Sequence, residues 1–404
     1  MTADPPAAQL DPPDLLRRGA PAAVLAALPG ARAVGGVVRD LLAGRPVQDV
    51  DVAAPLPPEA IAARLRAAGL KVFETGLAHG TVTAVLEGEP VEVTSLRRDL
   101  ATDGRHAEVE WTTDWREDAA RRDFTINAMS LSAEGALFDY FGGRADLTAG
   151  RVRFVGDPAT RLAEDYLRAL RFFRFQARYG EGAPDLAAVA AIRAAVPGLA
   201  RLSAERVWME LKRLLAAPDP VAALALMAET GVLGAVLPEG ADRVVLAALV
   251  AAGGPVDPLL RIAALVAPEA ADAGLPQRLR WSVAEAARYA AARDLAPVLA
   301  LPEGAALRRV LADVAPDAAL DRAWIAEARG LPGDWAALRA RIAATPRPIF
   351  PLKGRDGLAA GIPPGPALGA ALAETRAWWL WRGCTDDAEA CRAHLREAAA
   401  RPAG

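Results

Sequence analysis

The hydrophobic rhythm of the chain changes once along its length. From Arg32 to about Leu147, short apolar runs predict strands at Arg32–Val34, Val47–Val52, Thr81–Leu86, Val91–Thr94 and Leu137–Phe141. Between them, spacings of three and four predict helices over Val37–Leu42, Pro58–Ala68 and Trp115–Ser130. Beyond Asp157 the strand pattern fades. Leu162, Tyr166, Ala169, Phe173 and Ala177 recur at helical spacing, which predicts one amphipathic helix over Arg161–Tyr179. Ala/Leu-rich segments cut by Gly and Pro then predict helices from Ala204–Ala216 through to Asp386–Ala400. No repeat period recurs, so a solenoid is not expected. The pattern implies an α/β head of about five strands over 1–148. An all-α remainder follows, read as a neck at 149–250 and a body and tail at 251–404.

Composition allows this and narrows little else. The 404 residues suit about two to three domains, and 53% hydrophobic residues can fill their cores. The net charge of −3 argues against coating nucleic acid by bulk positive charge, though not against a local basic face. Lys occurs only at Lys71, Lys212 and Lys353, so the cations are almost all Arg. Arg has the planar fork that suits phosphates and base edges; a high-GC coding sequence is the other source of such an excess. From Arg151 to Arg213, twelve basic residues face seven acidic ones, leaving a local +5 that suits an RNA backbone.

Cys384 and Cys391 are the two cysteines and form no disulfide framework, which fits a reducing compartment. The first residues lack a basic-then-apolar leader pattern. The longest uncharged stretch, Gly357–Ala373, contains three Pro and four Gly and is too short to span a bilayer. A cytoplasmic protein without a membrane partner is expected; oligomeric state is not legible.

Chemistry concentrates near the head. Asp49 and Asp51 sit in Val47-Gln-Asp-Val-Asp-Val52, where strand alternation puts both carboxylates on one face, about 6–7 Å apart at Cα. Such a pair repels itself and suits divalent ions in phosphoryl chemistry. Upstream, Ala33-Val-Gly-Gly-Val-Val-Arg-Asp40 reads as a strand, a Gly35-Gly36 turn and a helix start. There the backbone can approach an anion, with Arg39 one turn in. Glu92 repeats the apolar–acid–apolar pattern; a third carboxylate beside the metals and a plain exposed strand Glu are both open readings. Asp165 and Arg168 stand at i, i+3, as an acceptor and a forked donor on one helix side or as a simple surface ion pair.

Five motifs then occur in order: Gly35-Gly-Val-Val-Arg-Asp40, Asp49-Val-Asp51, Arg121-Arg-Asp-Phe-Thr-Ile-Asn-Ala128, Glu164-Asp-Tyr-Leu-Arg168 and Ser203-Ala-Glu-Arg-Val-Trp-Met-Glu-Leu211. In this they resemble the polymerase β-like nucleotidyltransferase superfamily, and within it the class II CCA-adding enzymes (tRNA nucleotidyltransferases). The match is strong from Val34 to about Leu215. A weaker similarity recurs at Pro351-Leu-Lys-Gly-Arg-Asp356 and Gly361-Ile-Pro-Pro-Gly365, in what looks like the family's tail.

The resemblance implies two Mg²⁺ ions on Asp49 and Asp51, beside which Glu92 stands as a candidate ligand from its strand pattern alone. It implies a triphosphate held by Gly35, Gly36 and Arg39, and ribose contacts from Arg122 and Asp123 in a loop supported by Asn127. Asp165 and Arg168 would read the base edge of CTP or ATP, and Arg171 and Arg174 would be further nucleotide contacts. The partner implied is the tRNA 3′ end. Leu96–Trp115, with Arg97, Arg98, Asp103, Arg105 and His106, resembles the family's flexible loop, which argues against the CC-only relatives. Poly(A) addition, A-only addition and a catalytically idle RNA-binding protein are the alternatives. An appended metal-dependent phosphohydrolase is not expected, because none of His79, His106 and His394 precedes an Asp.

Overall fold

The computed structural model describes residues 5–47, 49–77, 80–102, 107–267 and 274–400. His79, Asp103, Arg105 and His106 therefore lie outside the described residues. The chain forms two compact units, Met1–Pro238 and Glu239–Gly404.

The first unit is built on a mixed sheet. Its strands are β1 Ala8–Gln9, β2 Arg32–Val34, β3 Asp51–Ala54, β4 Lys71–Gly76, β5 Thr81–Leu86, β6 Glu89–Ser95, β9 Met129–Leu131 and β10 Ala136–Asp139. They run in the order β1-β10-β9-β2-β3-β6-β5-β4. A separate antiparallel ribbon joins β7 Arg97–Thr102 to β8 Ala107–Trp111, across the segment read above as a flexible loop. The pair β3–β6 is parallel, while the other ladders of the large sheet are antiparallel.

The sheet therefore has eight strands rather than about five. The expected helix over Trp115–Ser130 is the main correction. It is a short helix Trp115–Ala120, a 3₁₀ turn Thr125–Asn127 and then β9, all three of whose residues are buried. A strand buried on both faces shows no alternation, so its apolar residues mimic a helical stripe. The helices Gly19–Ala27 and Pro58–Ala67 pack on β5 and β6, closing a core of Val24, Leu28, Ile61, Leu65, Val82 and Val93.

Two further corrections bear on the site. Regular strand begins at Asp51, so alternation along Val47–Val52 does not place Asp49. The helix expected over Arg161–Tyr179 is two helices, Pro158–Glu164 and Leu167–Tyr179. Asp165 sits in the break with an extended backbone (φ −156°, ψ 107°), so Asp165 and Arg168 are not i, i+3 neighbours on one helix. The break is held by Asp165 itself, whose Oδ1 accepts the Leu167 N–H at 3.0 Å as a cap would.

Helices complete the first unit, among them Ala204–Leu215 packed on Leu167–Tyr179. The described part of the second unit carries helices and no strands. Arg288 there bridges Asp257 and Asp321, each at 3.0 Å, and a small core gathers Leu352, Ile362, Trp379, Cys391 and Leu395. Among the described residues no helix is long and apolar enough to cross a membrane.

Candidate active site

A cavity of about 510 Å³ opens in the first unit. Gly35, Gly36, Arg39, Asp51, Arg122, Asp123, Asn127, Asp165, Arg168, Arg171 and Arg174 all line it, along with Arg206, Arg178 and Tyr179. Asp49 and Asp51 line an adjoining cavity of about 390 Å³, with Asp51 on the walls of both. Of the candidates, Glu92 lines neither, but it is Asp51's partner in the parallel β3–β6 register.

That register matters electrostatically. Asp51 ends the buried part of β3 and opens into the cleft, while Glu92 is exposed between buried Val91 and Val93. Desolvation first, and then the fields of Glu92 and Asp49, push the Asp51 carboxyl above its ordinary range, against the pull of Arg122. Three acids thus bear on one point of the sheet. Hard carboxylate oxygens of this kind suit Mg²⁺. Among the described residues no three such side chains converge into a ready-made cage. That agrees with the way Mg²⁺ is usually held, by one or two carboxylates completed by water and substrate phosphate.

The arginine side of the cavity is built differently, as one connected network. Buried Arg39 donates to Asn127 Oδ1 at 2.6 Å and forks onto Asp40 at 3.0 and 3.1 Å. Asn127 Nδ2 donates to Asp123 Oδ1 at 3.0 Å. Arg171 Nε donates to Asp123 Oδ2 at 2.7 Å, and a second ion pair links Arg171 to Glu210 at 3.9 Å. Glu210 also pairs with Arg174 and Arg213, each at 3.2 Å. Burial alone would raise the Asp123 carboxyl, yet Arg171 and Asn127 hold it below its usual range. Burial drives the Arg174 guanidinium down to about 10 despite Glu210.

Gly35 takes φ +71°, which favours glycine, and a Cβ there would displace the tip of Arg122, whose Nη1 would lie 2.9 Å away. Its N–H is committed to the Met129 carbonyl at 3.4 Å, which ties the turn to β9. Arg122 is set from behind by buried Asp118, which also takes Arg121 and the Arg97 N–H at the start of the ribbon.

The side chains of Asp165 and Arg168 share the cavity but not a bond, although the Arg168 N–H donates to the Asp165 carbonyl at 3.1 Å. Asp165 Oδ2 accepts from Arg206 at 2.6 Å, and Arg168 pairs with Glu164 and donates to the Arg161 carbonyl at 2.8 Å. Arg206, Glu210, Asp118 and Tyr179 were absent from the sequence candidates. One signal existed for Glu210: it falls on the apolar stripe Val207, Leu211, Leu214, where an acid must be buried against a partner.

Comparison with known proteins agrees with this architecture. Residues 31–153 match the family model of the poly A polymerase head domain, and 185–243 match a probable RNA- and SrmB-binding site of polymerase A. The mitochondrial CCA tRNA nucleotidyltransferase 1 of Danio rerio is 48% identical over 205 residues, 50% of this chain and 47% of that one. The CCA-adding enzyme of Geobacillus stearothermophilus is 41% identical over 208 residues, 51% of this chain and 50% of that one. The chain thus spans about half the length of the curated relatives it matches. A solved structure, the Bacillus stearothermophilus CCA-adding enzyme in complex with CTP, superposes with a TM-score of 0.68 at 29% identity, covering 91% of this chain and 92% of that one.

The head is therefore a polymerase β-like nucleotidyltransferase domain followed by a mostly helical remainder. Over residues 31–153 and 185–243 the chain is thus similar to the tRNA nucleotidyltransferase/poly(A) polymerase family, and the relatives named above are nucleotidyltransferases.

Proposed function

We propose that this protein adds C, C and A to the 3′ end of tRNA from CTP and ATP, without a template, releasing pyrophosphate. The observation that carries the reading is the pairing of two unlike walls on one cleft. Asp51, pressed by Asp49 and Glu92, stands at one end, and the neutralised arginine network from Arg39 to Arg174 lines the other. The similarity to CCA-adding enzymes, one of them solved with CTP, supports it.

Asp49 and Asp51 would hold Mg²⁺, with Glu92 beside them, and the bound metal would supply Lewis-acid activation of the 3′-hydroxyl and charge stabilisation of the leaving pyrophosphate. Arg39, backed by Asp40 and Asn127, receives the triphosphate at the Gly35-Gly36 turn. Arg122 and Asp123 address the ribose. Asp165 and Arg168 read the base edge, with Arg206 and Glu164 holding them in place until a base arrives. Arg171 and Arg174 complete the pocket. Little covalent chemistry falls to the protein; positioning and charge placement dominate.

The division into a head at 1–148, a neck at 149–250 and a tRNA-binding body and tail at 251–404 belongs to the same reading. So does a cytoplasmic setting, in keeping with two free thiols. Intact Asp49 and Asp51 disfavour an idle RNA-binding role, and kinship with CCA-adding enzymes disfavours poly(A) or A-only addition.

The test offers tRNA transcripts lacking CCA, lacking only the final A, or complete, with CTP, ATP or both, and sequences the products. Stepwise C, C and then A, stopping at the complete end, is expected. Runs of A on every transcript, or A on the CC-ended transcript alone, would overturn the reading.

A further inference from the structure

Helix Leu167–Tyr179 carries Arg168, Arg171, Arg174 and Arg178 at spacings of three, three and four. The first three are neutralised by carboxylates, Glu164, Asp123 and Glu210 respectively. Exposed Arg178 has no ion pair among the described residues. Its backbone carbonyl instead accepts from the Arg45 guanidinium, which brings a second cation alongside. Arg45 likewise has no carboxylate partner among the described residues. Its guanidinium stacks on the Tyr179 ring at 4.5 Å, as does that of Arg39.

These two uncompensated cations line the 390 Å³ cavity with Asp49 and Asp51. Arg45 does not line the larger cavity, where the nucleotide arginines lie, whereas Arg178 stands on the boundary and lines both. Tyr179 stands on the walls of both, its hydroxyl bonded to Asp40, which Arg39 also grips. The two carboxylates thus have cations on either side: one set already paired with acids, the other with its charge to spare.

A nucleotidyl transfer needs two phosphate-bearing reactants at one acidic centre, meeting roughly in line from opposite sides. We infer that Arg45 and Arg178 form a phosphate subsite for the acceptor RNA, holding the backbone next to its 3′-terminal hydroxyl in the smaller cavity. Tyr179 is the partition that separates this subsite from Arg39 and the triphosphate. The ring contact and the bond to the Arg178 carbonyl both restrain the Arg45 guanidinium, so less side-chain entropy is lost when it meets an anion. This inference rests on the nucleotidyltransferase reading above.

The experiment measures binding of a tRNA transcript lacking CCA to the full chain over a salt series, alongside CTP affinity without RNA and steady-state KM for each substrate. Arg45→Gln is expected to weaken transcript binding about tenfold, as loss of one charge-assisted contact does. The slope of log affinity against log salt should fall by about 0.7, the share of one phosphate on a single strand. CTP affinity and nucleotide KM should hold within twofold, and Arg45→Lys should restore the salt slope but not the full affinity. Arg178→Gln should repeat the RNA effect.

Unchanged transcript affinity and slope in both variants, with wild type active, would overturn the subsite alone. A fall in CTP affinity with RNA binding intact would overturn it too, by moving Arg45 to the triphosphate side. Wild-type protein that extends no transcript would instead overturn the reading on which the inference rests.

Discussion

The two walls of the cleft solve the problem of charge in opposite ways. On the arginine wall, cations and acids are matched inside the protein: Arg39 with Asp40, Arg171 with Asp123, and Arg174 with Glu210. On the carboxylate wall, Asp51 meets Glu92 across a parallel ladder and Asp49 along the chain, with Arg122 pulling against them. The first wall is preorganised without a ligand. The second keeps a net repulsion at Asp51 that a bound cation would relieve. A site whose anionic end is left unbalanced is one whose chemistry depends on what binds there.

The comparison breaks most sharply at Asp51. Asp51→Asn should abolish nucleotide addition, by roughly a thousandfold or more, since metal-borne charge stabilisation is worth several kcal/mol. The same variant should melt at a higher temperature than wild type in metal-free buffer at neutral pH. The sign follows from the raised carboxyl: folding favours its protonated form, so its contribution is present at low pH and is lost as pH rises through the folded value. A lower melting temperature for Asp51→Asn, or full activity, would remove the carboxylate wall's special status.

The opposite outcome is expected on the arginine wall. Asp123→Ala leaves buried Asn127 without its acceptor and half-buried Arg171 with Glu210 alone, and should cost about 1–3 kcal/mol in denaturant unfolding. Glu210→Gln keeps the shape but removes the charge shared by three arginines, two of them exposed enough to rehydrate. About 1–3 kcal/mol of stability should go, together with a drop in the pH at which Arg174 loses its proton, already down near 10. Equal stability for either variant would mean that the network is ornamental.

Arg168→Ala gives a smaller effect of another kind. It should shift the CTP-to-ATP ratio of kcat/KM by about tenfold, within the ~1–3 kcal/mol a single recognition contact supplies, and leave stability nearly unchanged. An unmoved ratio would take Arg168 out of base reading. Smallest is the pH effect in wild type: Mg²⁺ binding to the metal-free protein should weaken on acidification at a pH above that of an ordinary aspartate, because the free Asp51 carboxyl is raised. A fall only below the ordinary range would contradict the crowding of the three acids.

Much of the candidate site was legible along the chain, because the chemistry is written in short local motifs. Gly35, Arg39, Asp51, Arg122, Asp123, Asn127, Asp165 and Arg168 all reach one cavity. What was illegible has a common cause in distance. Asp51 and Glu92 become neighbours only through strand register, and Arg171 and Glu210 only through helix packing. The same holds for β9: its apolar residues fit a helix by spacing until β2 and β10 flank it and claim its hydrogen bonds.

The sequence by itself determined the class of fold, the change from α/β to all-α, and the residue types that line the cleft, since periodicity and motif spacing are local properties. Only the tertiary structure decided the electrostatic state of those residues. Whether an aspartate is crowded or clasped, as Asp51 and Asp123 are in turn, depends on charges brought from tens of residues away. Coulomb forces act on spatial neighbours, and folding chooses the neighbours.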